Sequence, residues 1–278
     1  MNILEFSLLV GTGSFIAGFL GSLTGLGGGI VIVPLLTLGF GVDIRYASGA
    51  SLVSVIATSS GAAIAYIKEG YTNLRLGMFL EIATTIGALV GALITPYVSI
   101  KTLAIVLGIV LLYSADLPQP SQPENSGIEL SDPLATRLRL NSTYPTPDGL
   151  MSYQVYAVPV GLGLMWIAGV LSGLLGIGSG ALKVLAMDQA MRLPFKVSTT
   201  TSNFMIGVTA AASAGIYLQR GYIDPGLSMP VMLGVVFGAL LGTRVLAESK
   251  TEILRTIFSL VLQVLAFEML YKGLTGEL

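Results

Sequence analysis

The chain has 278 residues, of which 53% are hydrophobic and 10% charged, with a net charge of −1 and a mean hydropathy of +0.83. A soluble domain carries about 25% charged residues, so the apolar surplus points to lipid as the solvent. Neither cysteine nor histidine is present, which excludes disulfide frameworks, thiolate chemistry, imidazole relays and the usual metal ligands, and a near-neutral charge gives no footprint for nucleic acid.

The first apolar stretch, near 6–38, is longer than one membrane span and is interrupted by GLGGG at 25–29. The N-terminus has no basic region and no small-residue cleavage site, so it reads as a membrane segment rather than a removed signal. Windows of about 20 apolar residues then predict spanning helices near 46–67, 74–96 and 99–115. A polar segment follows, DLPQPSQPENSGIELSDPLATRLRLNSTYPTPDG, whose Pro, Ser and acidic content predicts an extramembrane linker, partly disordered. A second long stretch near 155–187 is broken by GIGSG at 176–180, and further spans are predicted near 197–218, 227–247 and 251–271.

Shifting the chain by 151 residues superposes 17–92 on 168–243 without a gap, with 20 of 76 pairs identical. Gly25, Gly27 and Gly29 fall on Gly176, Gly178 and Gly180, and Tyr66, Gly70 and Tyr71 on Tyr217, Gly221 and Tyr222. Many transporters are built from such duplications, with substrate held between the copies. If each broken segment re-enters, the second copy is inverted, and one side collects nine basic residues against four. A parallel repeat divides them seven to six, so the positive-inside rule favours inversion with a cytoplasmic linker. The predicted fold is an all-α polytopic membrane protein of about eight membrane segments. It comprises a first repeat (1–115), the linker (116–152) and a second repeat (153–278), each repeat having one glycine-broken helix and three spanning helices.

Glycines at the breaks (Gly25, Gly27, Gly28 and Gly29; Gly176, Gly178 and Gly180, with Ser179) leave backbone N–H groups free, a natural site for an anion. Their structural alternative is close helix packing. Hydroxyl-rich helix starts follow each break. Ser51 matches Ser202, with Thr201 and Asn203 beside it, and these can donate to an oxyanion without burying fixed charge. N-capping by 198–200 and helix–helix hydrogen bonding are the alternatives.

Lys183 has no carboxylate within four positions, and its repeat mate is Ile32. It either snorkels to an interface, helped by Asp188, or provides the fixed positive charge for an anionic substrate. Glu81, opposite Met232 in the repeat, is either hydrated near a helix end or a carrier of a coupling proton. Trp166, Tyr153 and Tyr156 suit an interfacial belt.

The chain resembles the TauE/SafE family of membrane transporters through AGFLGSLTGLGGGIVIVPLL in one half and AGVLSGLLGIGSGALKV with KVSTTTSNFMIGVTAAASA in the other. The resemblance implies a carrier for small anions, often sulfite or organosulfonates, in the inner membrane of a prokaryote. Ser179, Lys183, and Leu185 where the first copy has Pro34, depart from the simpler family pattern. No cofactor, metal, nucleic acid or enzymatic activity is expected; the expected partners are a small anion, the lipid bilayer and a second copy of the chain as a homodimer. Rival readings are a passive anion channel of the same fold and a non-transporting scaffold that docks through its linker.

Overall fold

The computed structural model describes residues 2–24, 28–68, 70–115, 132–146, 149–248 and 251–277. The chain is mostly helical. In the first half α1 (Ile3–Thr24) is followed by the short α2 (Gly29–Pro34), a π-helical turn at 35–39, α3 (Ile44–Lys68), α4 (Leu74–Ile94) and α5 (Ile100–Ala115). In the second, α7 (Val158–Leu175) leads to the short α8 (Gly180–Leu185), a π turn at 186–190, α9 (Phe195–Gln219), α10 (Pro225–Glu248) and α11 (Thr251–Thr275). The starts of α2 and α8, α3 and α9, α4 and α10, and α5 and α11 all lie 151 residues apart, as in Gly29 to Gly180. All six predicted unbroken spans are helices; the second long apolar stretch breaks at its glycines, and in the first α1 ends at Thr24 and α2 begins at Gly29.

Helices of the two halves alternate in space. α1 packs on α10, α4 on α7, α3 on α9 and α5 on α11, while α2 lies against α3 and α8 against α9. α3 and α9 run antiparallel. At the start of α3, Tyr46 stacks edge-on against Tyr222, just beyond α9, with ring centroids 5.7 Å apart. At the start of α9, the Lys196 ammonium sits 3.7 Å from the ring centroid of Tyr71, just beyond α3.

Glycine seams make the α1–α10 and α4–α7 contacts close. A Cβ added at Gly91 would strike the carbonyl oxygen of Val170, and one at Gly173 that of Ala88. Gly234 and Gly238 meet Gly11 and Phe15 in the same way. Without water to drive helices together, such backbone approach supplies the association through dispersion. The outer face of α4 is the converse, with Met78, Ile82, Ile86 and Leu93 each at least half exposed. An apolar stripe of that length belongs in lipid. Among the described residues four helices, α1, α4, α7 and α10, are long and apolar enough to cross a membrane.

The described part of the linker is ordered. α6 (Pro133–Arg137) precedes an antiparallel hairpin of β1 (Ser142–Thr146) and β2 (Gly149–Tyr153). Asp132 caps α6 through the Leu134 N–H (2.8 Å) and also accepts from Val158 N–H (2.8 Å), fixing the start of α7. Asn73 accepts from Leu76 N–H at 3.0 Å as the cap of α4. Its amide donates to Leu140 O and to the Tyr153 hydroxyl, both at 2.8 Å. Residues 132–146 and 149–152 of the predicted linker pack onto the α3–α4 connection, and 116–131 lie outside the described residues. Tyr153 is thus a clamp residue, and its phenol pKa is raised by burial, partly offset by the Asn73 hydrogen bond.

Candidate functional site

Each break is built from its own sequence. α7 ends at Gly176 (φ +68°), whose left-handed conformation suits glycine, and Gly178 (φ +76°) and Ser179 (φ +49°) continue it. A helix that stops inside a bundle leaves orphan carbonyls. The Tyr217 hydroxyl lies 3.0 Å from Gly173 O and 3.1 Å from Leu174 O, and the Ser48 hydroxyl donates to Leu175 O at 2.8 Å. In the first half Gly28 is the N-cap residue of α2; Gly25 and Gly27 lie outside the described residues.

Ser51 donates to Gly29 O at 3.2 Å and Ser202 to Gly180 O at 3.1 Å, the same bond in both halves. These two hydroxyl protons are therefore engaged in holding α2 and α8 to α3 and α9. The breaks lie beside each other: a Cβ built on Gly29 would stand 3.2 Å from Ile177 O. Thr201 accepts from Asn73 N–H at 3.1 Å and lies near the extramembrane clamp, and Asn203 is buried on the same helix. Ser198, Thr199 and Thr200 do not cap α9. Pro194 starts that helix at Phe195, and the Thr199 and Thr200 hydroxyls bond back to Phe195 O and Lys196 O, both at 2.9 Å.

Lys183 is buried to 0% exposure and has a carboxylate partner from the other half of the chain. Its ammonium lies 3.6 Å from Glu81 Oε2 and donates to Thr209 Oγ1. Of the two readings of Lys183, snorkelling to an interface does not hold: α8 points the side chain across the bundle to α4. Glu81 is likewise buried, at 7% exposure, so a hydrated end of α4 is also corrected. Its Oε1 accepts from Thr209 at 2.6 Å and Thr85 at 3.1 Å, and Oε2 accepts from Thr84 at 2.9 Å.

Thr209 stands about 21 Å along α9, a helix about 38 Å long, so the pair meets α9 near its middle. The ammonium and carboxylate balance each other's charge, and the carboxylate accepts three hydroxyl hydrogen bonds, while the ammonium makes one, to Thr209. Four residues before Lys183, at the start of α8, the Ser179 hydroxyl is buried without a hydrogen-bond partner. Thr84 and Thr85 were absent from the residues singled out by sequence, although their i+3 and i+4 spacing from Glu81 carries the signal; Thr209 is the repeat mate of Thr58.

A helical bundle with lipid-facing stripes, glycine seams and a buried charged centre defines a multi-pass membrane protein. The chain belongs to the sulfite exporter TauE/SafE family, whose match covers residues 10–269. It is 28% identical to "Probable membrane transporter protein YunE" of Bacillus subtilis, covering 98% of this chain and 99% of that protein. It is 27% identical to "Probable membrane transporter protein YdhB" of the same organism, over 83% of this chain and 86% of that one. A "Probable membrane transporter protein MJ0441" of Methanocaldococcus jannaschii is 25% identical over 96% of each chain. No solved structure matches the chain.

Proposed function

We propose that the protein is a secondary transporter that moves a small anion, sulfite or an organosulfonate, across the inner membrane of a prokaryotic cell. The observation that carries this reading is the fully buried Lys183 on a short broken helix, against the middle of α9. A fixed cation there is costly unless an anion or a carboxylate answers it. Lys183 and the partnerless Ser179 hydroxyl are the anion's principal contacts. The break glycines Gly28, Gly29, Gly176, Gly178 and Gly180 let the backbone approach it, and Asn203 lies on the adjoining helix. Ser51 and Ser202 position the breaks, and Thr201 ties α9 to the clamp.

The two halves, residues 1–115 and 153–278 around the 116–152 linker, are inverted repeats that rock against each other to give alternating access. The antiparallel setting of α3 and α9 and the 151-residue offset of the helix starts support this arrangement. The test is uptake of radiolabelled sulfite, methanesulfonate and p-toluenesulfonate into proteoliposomes. Saturable flux of at least one, lost in Lys183→Met, is expected. Unchanged flux in that variant, or none of the three moved by the wild type, overturns the reading.

A further inference from the structure

The ion pair occurs in one half only. At the positions offset by 151 residues from Lys183, Glu81 and Thr209 stand Ile32, Met232 and Thr58. The fold therefore accepts apolar residues in this arrangement, and Ile32 is buried at its counterpart place. The charges are confined to a single centre. That centre holds one ammonium and one carboxylate, contributed by α8 and α4, with the Thr209 hydroxyl from α9 bridging them.

Few other ionisable groups surround it. α7, packed on α4, carries none. α9 carries Lys196 at its start, engaged with Tyr71, and Tyr217 near its end, bonded to the carbonyls of α7. α8 carries only Lys183, and the adjoining π turn carries the buried Asp188. On α4 itself the only other charge is Arg75 in the first turn, donating to Arg139 O at 3.2 Å.

We infer that Glu81 is a built-in counter-anion which the substrate replaces on Lys183, leaving as the neutral acid after taking up a proton. The protein is then an electroneutral cotransporter of one proton with one monoanion. This deepens, and rests on, the reading of Lys183 as the anion's contact. Without substrate the centre holds Lys183 ammonium and Glu81 carboxylate, with a net charge of zero. With substrate it holds the ammonium, the monoanion and the protonated Glu81, again zero. Both states cross the low-dielectric interior without net charge, which removes the largest cost of moving ions there. A loaded carrier that kept Glu81 ionised would bury a net negative charge, and an empty one with Glu81 protonated a net positive one. Thr84 and Thr85 hold the carboxyl as its bond to Lys183 is lost, since a hydroxyl serves a carboxylate as donor and a carboxylic acid as acceptor.

The experiment uses proteoliposomes of the full chain with methanesulfonate and p-toluenesulfonate, monoanions that do not titrate near neutral pH, and a trapped pH dye. For the wild type, sulfonate and protons enter in a one-to-one ratio. An inside-alkaline gradient drives accumulation, and a potassium–valinomycin potential of either sign leaves the rate unchanged. Glu81→Gln keeps sulfonate counterflow, loses the pH-driven accumulation and becomes sensitive to potential. Wild-type flux that follows the potential, or that brings in no proton, overturns the inference while leaving the anion carrier intact, whatever the variant's folding. PH-driven accumulation persisting in Glu81→Gln overturns it too. If neither sulfonate moves but sulfite does, coupling is read from charge movement on solid-supported membranes, where a transport current in the wild type counts against electroneutrality. If no anion moves, the functional reading itself falls, and the inference with it.

Discussion

Ser51 and Ser202 occupy matching places in the two halves and make the same bond, each donating its hydroxyl to the first residue of a short broken helix, Gly29 O and Gly180 O. Both are fully buried, so removing either deletes a buried bond tying a short broken helix to the long helix beside it. Ser51→Ala and Ser202→Ala are each expected to cost about 1–3 kcal/mol. The check is thermal unfolding of the detergent-solubilised protein, where the two variants lower Tm by similar amounts. A normal Tm in both would show that the carbonyls find other donors.

Lys183 and Glu81 stabilise the fold only as a pair. Lys183→Met or Glu81→Gln alone leaves a buried charge uncompensated and is expected to cost about 3–5 kcal/mol. The double substitution Lys183→Ile with Glu81→Met installs the residues that the other half carries at these offsets, Ile32 and Met232. It is expected to recover most of that loss while abolishing anion transport. A double-mutant cycle by chemical unfolding in detergent measures the coupling, and additive losses would contradict a direct interaction.

Along the α4–α7 seam, cost depends on what lies opposite each glycine. Gly91→Ala and Gly173→Ala push a methyl into a backbone carbonyl and are expected to cost about 1–3 kcal/mol or more. Gly163→Ala, on the same α7 but with nothing within 4 Å of the new Cβ, is expected to be neutral or stabilising by about 0.5–1 kcal/mol. Tm values of the three variants separate packing from propensity.

Tyr153 gives the extramembrane clamp an alkaline limit. Burial raises its pKa above the ordinary value of about 10. The folded state therefore holds the phenol proton more tightly than the unfolded one. That contribution is complete below about pH 10 and is lost as pH rises through the folded value. Proteolysis within 132–153 is expected to increase with pH in that range, and Tyr153→Phe to remove the dependence. Asn73→Ala, which deletes the α4 cap and both bonds to the clamp, is expected to cost about 1–2 kcal/mol at neutral pH.

Most of the helical layout was legible because lipid imposes a length and a composition on every span. Ile44–Lys68, Leu74–Ile94 and Phe195–Gln219 end within a few residues of where hydropathy placed them. The breaks were legible from duplicated glycines. The ion pair was not, because Glu81 and Lys183 lie in different halves and neither has a charged repeat mate. No local spacing could join them. The roles of Ser51 and Ser202 were also hidden, since a hydroxyl suited to an oxyanion is equally suited to a buried backbone carbonyl. α9 begins at Phe195, two residues before its predicted span, because Pro194 sets the helix entry ahead of the hydroxyls that follow it.

The alternation of α1 with α10 and of α4 with α7 has a consequence for biogenesis. A ribosome releases α1 and α4 long before their mates exist, so both helices wait in the bilayer with their glycine grooves filled by acyl chains. Those lipids must be expelled when residues 158–248 arrive. Neither half is a self-sufficient module, and the insertion machinery has to keep the early helices apart from other small-residue helices until the later ones emerge.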